Sequence, residues 1–209
     1  MTTSCSKPPI RVIGSSLVLI IFSFWFIINP SIITKIISVD ATIWSISRTG
    51  YSMQIDLFCI GKQDRQFFTL VEFYEQRIQH FANLKIYELE VKNIKDEVRR
   101  NQIENEKLAE LIKKRQKTKY INLWACEPRG QSLSSEQMAA KIAHKKDTGQ
   151  ALGFVIGGSM GLNQKILEMC TEKLSFSEMT FPHQLFRVML LEQIYRSLSI
   201  INGVPYHKA

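Results

Sequence analysis

The chain is poor in the residues that build metal centres and disulfide frameworks. It has four cysteines and four histidines in 209 residues. Cys5, Cys59, Cys126 and Cys170 lie far apart, with no CxxC pair and no histidine at ligand spacing. That pattern argues against a zinc module or a stapled secreted scaffold, and it fits buried thiols in a reducing compartment. No internal repeat and no low-complexity tract is present, so neither a repeat array nor a disordered chain is indicated. No glycine run is followed by Gly-Lys-Ser/Thr, and there is no GxGxxG, so the P-loop and Rossmann fingerprints are both missing. Acidic residues are outnumbered, 19 against 27 Lys and Arg, giving a net charge of +8. A surplus of that size suits a polyanionic partner, either nucleic acid or an anionic membrane surface; a merely soluble basic surface is the plainer reading.

What is present divides into two parts. Residues 12–34 (VIGSSLVLIIFSFWFIINPSIIT) contain no charged residue and have the length of a membrane span. Lys7 and Arg11 precede the run, as before a positive-inside anchor or signal peptide, and Asn29-Pro30 would interrupt a regular helix. A fresh pattern starts at Met53. Residues 53–209 have the size of one compact domain, and with 23 basic and 18 acidic groups they remain net +5. We expect two regions: 1–52, an apolar extension that is a membrane span or a mis-assigned start, and 53–209, the functional domain. On these residues alone a single-pass anchor is the leading reading of residues 12–34. The expected location is cytoplasmic, or membrane-anchored if residues 12–34 are translated and inserted.

Within the domain, strands alternate with helices. Ile55–Ile60 has the apolar density of a buried strand, and Phe67–Phe81 reads as a helix whose apolar face is Phe68, Val71, Phe73, Tyr74, Ile78 and Phe81. Leu84–Val91 is a second strand, Lys95–Lys114 a charged, solvated helix, and Tyr120–Ala125 a third strand. Glu127-Pro128-Arg129-Gly130 predicts a turn. Ser134 with Gln137 makes a capping box for a helix to about Lys145. Gly153–Ile156 is a fourth strand, Asn163–Cys170 a short helix, and Leu174–Phe176 a fifth strand. A last helix begins at Pro182, with Leu185, Val188, Leu191, Ile194, Tyr195 and Leu198 as its apolar stripe. This alternation implies an α/β fold with a mainly parallel sheet flanked by helices.

Four stretches carry candidate chemistry. Gly157-Gly158-Ser159-Met160-Gly161 follows a strand and precedes a helix, where glycines let backbone approach a ligand, or simply make a tight turn. Phe176–Phe181 (FSEMTF) is a second post-strand loop, with Met179 and Phe181 able to flank an adenine or to serve as core. Glu192 and Arg196 are spaced for an ion pair within the last helix. The tail Tyr206-His207-Lys208 offers a stacking ring, a group titrating near neutrality and a cation, which suit an unstacked RNA base. The plain alternative for the tail is a frayed terminus.

The segments GFVIGGSMGL, LSFSEMTFPHQLFRVMLLEQIYR and INGVPYHK resemble the RlmH family, the bacterial 23S rRNA (pseudouridine-1915) N3-methyltransferases of the SPOUT superfamily. The resemblance covers Met53 to Lys208 and is densest from Gly153 onward. It implies a C-terminal trefoil knot, a homodimer, S-adenosyl-L-methionine as methyl donor and no metal. It also implies the ribosome, through its 23S rRNA, as partner. Carried onto this chain, the cofactor residues are Cys126, Gly157, Phe176, Ser177, Glu178, Met179, Thr180 and Phe181. The RNA-side residues are His183, Tyr206, His207 and Lys208, and the catalytic candidates are His207, Glu192 and Arg196. Where the family often has an aliphatic residue followed by Asp, this chain has Cys126-Glu127. The competing functions are a SPOUT methyltransferase for another RNA base and a membrane-anchored RNA-binding module.

Overall fold

The structure, a computed structural model, describes residues 53–206. The apolar stretch Val12–Thr34, the division at residue 52, and the candidates His207 and Lys208 fall outside the described residues.

Ten elements alternate: β1 (Met53–Ile60), α1 (Arg65–Gln79), β2 (Ala82–Leu89), α2 (Glu97–Thr118), β3 (Ile121–Ser132), α3 (Ser135–Asp147), β4 (Ala151–Ile156), α4 (Gln164–Met169), β5 (Glu172–Ser175) and α5 (His183–Ile201). The strands form one sheet in the order β2-β1-β4-β3-β5, and every pairing is parallel. Such a sheet needs cover on both faces. That explains why β1 and β4 are apolar along almost their whole length, with every residue buried.

On one face Leu57, Trp124, Phe154 and Leu174 meet Ile78 of α1, Ile142 of α3 and Leu191, Ile194 and Leu198 of α5. On the other, Phe58, Leu123 and Val155 meet Leu108 and Ile112 of α2 and Ile166 of α4. Helix α5 packs against both α1 and α3, so it is the centre of the first layer. Most charges of α2 face solvent, opposite the buried stripe Asn105, Leu108, Ala109 and Ile112; Arg115 instead turns in to the buried Asp56 of β1, Nε to Oδ2 at 2.8 Å. The capping box at α3 is present: Ser134 Oγ accepts from Gln137 N at 3.2 Å, and Gln137 Oε1 accepts from Ser134 N at 2.9 Å.

Three expectations need correction. The turn at Glu127–Gly130 does not end the third strand. It bows out of the strand, and β3 resumes: both Cys126 and Gln131 register with Leu174 of β5. Gly130 makes this possible, because a Cβ there would stand 2.6 Å from the Leu174 carbonyl carbon and 2.7 Å from Leu174 N. On α1, Phe68 and Phe73 are exposed (59% and 45%) rather than core, because the buried arc of that helix runs through Val71 and Ile78. On α5, Leu185 is exposed and the buried arc begins at Arg187 and Val188.

The bulge gives a direct test. Gly130→Ala should cost roughly 1–3 kcal/mol, since the new methyl meets backbone that has no room to move. Urea denaturation measures it, and an unchanged midpoint would show that β3 and β5 do not pack this closely.

Candidate functional site

Register puts Cys59 of β1, Ile156 of β4 and Cys126 of β3 at one level, at the carboxyl ends of β1 and β4 and where the bulge leaves β3. In open α/β sheets ligands bind at this edge. Here Glu127 and Pro128 of the β3 bulge and the loops after β4 and β5 line a cavity of about 230 Å³. Cys126, Gly157, Phe176, Ser177, Met179, Thr180 and Phe181 all line it, which gathers seven of the eight residues assigned to the cofactor. Glu178 is exposed and does not line it.

Each wall has a local cause. The glycine loop folds back on itself through a Gly158–Gly161 bridge, with Gly161 N donating to Gly158 O at 3.0 Å. A Cβ on Gly157 would lie 2.8 Å from the Gly161 carbonyl carbon, so only glycine lets the loop close. Beneath it, the buried Asn105 of α2 accepts from Asn163 N at 2.9 Å. Sequence reasoning missed this support; Asn105 is one of several amides in that helix and differs only in lying on the same face as Leu108, Ala109 and Ile112. The loop after β5 is held by serines: Ser175 Oγ donates to Ser177 O at 2.9 Å, and Ser177 Oγ accepts from Met179 N at 3.0 Å. Phe176 packs on Phe186 of α5 with ring centroids 4.8 Å apart. Burial pushes the Cys59 thiol up to about 12 and raises that of Cys126 too, so both stay protonated.

His183, assigned to the RNA side, lies in the wall of this same cavity. Burial, and then the neighbouring Arg187 guanidinium, lower its pKa.

The remaining polar candidates gather elsewhere. Glu192 Oε1 accepts from Arg196 Nε at 3.0 Å, from Arg196 Nη2 at 2.6 Å and from the Tyr206 hydroxyl at 3.2 Å. Glu192 Oε2 accepts from Gln193 Nε2 at 2.7 Å, and Gln193 Oε1 in turn accepts from Ser135 Oγ at 2.8 Å. The Arg196 guanidinium lies 5.0 Å from the Tyr206 ring centre. Burial, and then hydrogen bonds to Tyr74 and Glu192, raise the Tyr206 pKa, which keeps it a donor. This triad is not in the wall of the first cavity. Glu192 borders a second, of about 600 Å³, together with Tyr74, Ser134, Met138, Val188 and Gln193. Leu174 and Phe176 are common to both cavities, so the two lie side by side across them. Among the described residues no group of three or more His, Cys, Asp or Glu could hold a metal ion.

A family model described as "Predicted SPOUT methyltransferase" matches residues 53–207. The "Ribosomal RNA large subunit methyltransferase H" of Clostridium botulinum (strain Loch Maree / Type A3) is 40% identical over 160 residues, 75% of this chain and 100% of that protein. Its counterpart in the Kyoto / Type A2 strain is 39% identical with the same coverage. Among solved structures, the SpoU methyltransferase AviRb from Streptomyces viridochromogenes, in complex with the cofactor AdoMet, shows 10% identity and a TM-score of 0.40. The match covers 69% of this chain and 57% of that one. The chain belongs to the SPOUT methyltransferase family.

The His183 environment predicts a pH effect. Its folded value lies below the ordinary 6.5, so the unfolded chain binds the proton more tightly than the folded protein does. Stability should therefore fall as pH drops from about 6.5 toward 5. His183→Gln should flatten that part of the melting-temperature profile; an identical slope in both proteins would contradict it.

Proposed function

We propose that this chain is an S-adenosylmethionine-dependent methyltransferase of large-subunit ribosomal RNA, acting at N3 of pseudouridine 1915 in the assembled ribosome. The observation that carries the proposal is the cavity at the β3 bulge and the carboxyl ends of β4 and β5, lined by the residues that match the family's donor motifs. The full-length match to large-subunit methyltransferases supports the substrate, and the net positive charge suits a polyanion.

The residues present fit the donor. Apolar Ile156, Met179 and Phe181 supply walls for a flat base, and the Gly157 loop brings backbone close without a side chain in the way. Bound S-adenosylmethionine supplies a methyl already activated on a sulfonium, so the protein's main task is positioning. The acceptor N3–H must lose its proton. Both oxygens of Glu192 are engaged by Arg196, Tyr206 and Gln193, which suits an anchor for the guanidinium better than a proton acceptor. That leaves His207 as the assigned base, Arg196 to stabilise developing charge, and Tyr206, His183 and Lys208 to meet the RNA. Exposed Phe68, Leu70 and Phe73 on α1 support association with a second copy. Among the described residues no helix is long and apolar enough to cross a membrane. A cytoplasmic location is part of the proposal.

Single-turnover methylation of ribosomes tests it. Ribosomes carrying the pseudouridine should be methylated, and those from a strain without that pseudouridine should not. Arg196→Ala and His207→Ala should each slow the step about 100-fold or more. Equal labelling of both ribosome types would point to another base, and near-normal rates for both variants would remove the assigned residues.

A further inference from the structure

Arg187 is the most unusual residue of α5. It sits one turn beyond His183 and is 1% exposed. Its guanidinium forms an ion pair with Glu88 at the end of β2 and donates from Nη2 to the Gly61 carbonyl at 2.8 Å. It also lies against the buried Cys59 thiol of β1. The same carboxylate oxygen of Glu88 accepts from Gln63 N at 2.9 Å. Next to it, Gln184 donates to Lys62 O at 2.6 Å and accepts from Asp64 N at 3.1 Å. Every residue from Gly61 to Asp64 is therefore tied, directly or through Glu88, to the first turn of α5. The fit is tight at Gly61 (φ +90°), where a Cβ would approach His183 Nε2 to 3.2 Å.

That turn carries His183 and Phe186, and both line the first cavity. Neither Arg187 nor Gln184 does. The Arg187 side chain is 1% exposed and that of Glu88 32%, so the pair is buried on the arginine side only. The cost of taking the guanidinium out of water offsets much of the attraction, so stability alone is a weak reason for this pair. What the pair does supply is a directional link between α5 and two strand ends across the sheet.

We infer that Arg187 is a positioning residue: with Glu88 and the Gly61 carbonyl it fixes the α5 wall of the donor cavity and so sets affinity for the methyl donor. The inference rests on the assignment of that cavity to S-adenosylmethionine. Removing the pair lets α5 shift relative to the loops after β4 and β5, and a shift of about 1 Å is enough to spoil a fitted site.

The test is calorimetric binding of S-adenosylhomocysteine together with single-turnover methylation, on full-length protein. The double variant Arg187→Met with Glu88→Leu should melt at or near the native temperature. It should bind about tenfold more weakly or worse, with the rate at saturating donor within about threefold of native. Gln184→Leu, which leaves the buried pair intact, should weaken binding in the same sense; it decides the matter if the double variant does not fold. Arg187→Lys with Glu88 retained should recover part of the affinity. Native affinity in a folded double variant, or in Gln184→Leu if the double variant does not fold, overturns the inference. Gly157→Val separates the two layers of the argument. If it binds normally, the cavity assignment fails; if it loses binding while the Arg187 and Gln184 variants keep theirs, only the positioning role fails.

Discussion

Five strands running the same way send all their carboxyl ends to one edge of the sheet, and the rest of this molecule follows from that constraint. Because the sheet is parallel throughout, its connections must cross over its faces as helices, and both faces must be apolar. Because Cys126, Ile156 and Leu174 are in register, the bulge of β3 and the loops after β4 and β5 meet at one place. The cavity lies where these three segments converge. Its shape is fixed by small devices in the loops: a glycine that must lack a side chain, serines that bond their own backbone, and a buried amide underneath.

The polar residues with chemical potential form a separate group. Glu192, Arg196 and Tyr206 are joined by hydrogen bonds on the far side of Phe176 from the first cavity. The cavity and this cluster are thus distinct but adjacent. Glu192 Oε1 holds Arg196 through two hydrogen bonds and also accepts from Tyr206. In the proposed reaction this places a cation where charge develops.

The layered fold was legible because burial on both faces writes itself as apolar runs, as in Met53–Ile60 and Ala151–Ile156, and because the Ser134–Gln137 box marks a helix start without ambiguity. Pro128 and Gly130 misled for a physical reason: they signal a turn, but here the turn is a bulge that β5 accepts on returning to the same strand. Phe68 and Phe73 misled because the apolar residues of α1 are spread more widely around the helix than the arc through Val71 and Ile78 that meets the sheet. The glycine loop alone was ambiguous; its position after a strand allowed it to close on a small molecule with Phe176–Phe181, and the resemblance gave that molecule a class. Arg187 and Asn105 were not legible as site supports. Their role depends on what α5 and α2 pack against, and no local spacing encodes that.

A crystal structure of the protein with S-adenosylhomocysteine is the most direct test of the central claim. The account predicts the ligand between the β3 bulge and the loops after β4 and β5, against Gly157, Phe176 and Phe181. A ligand bound at any other place on the molecule would contradict it.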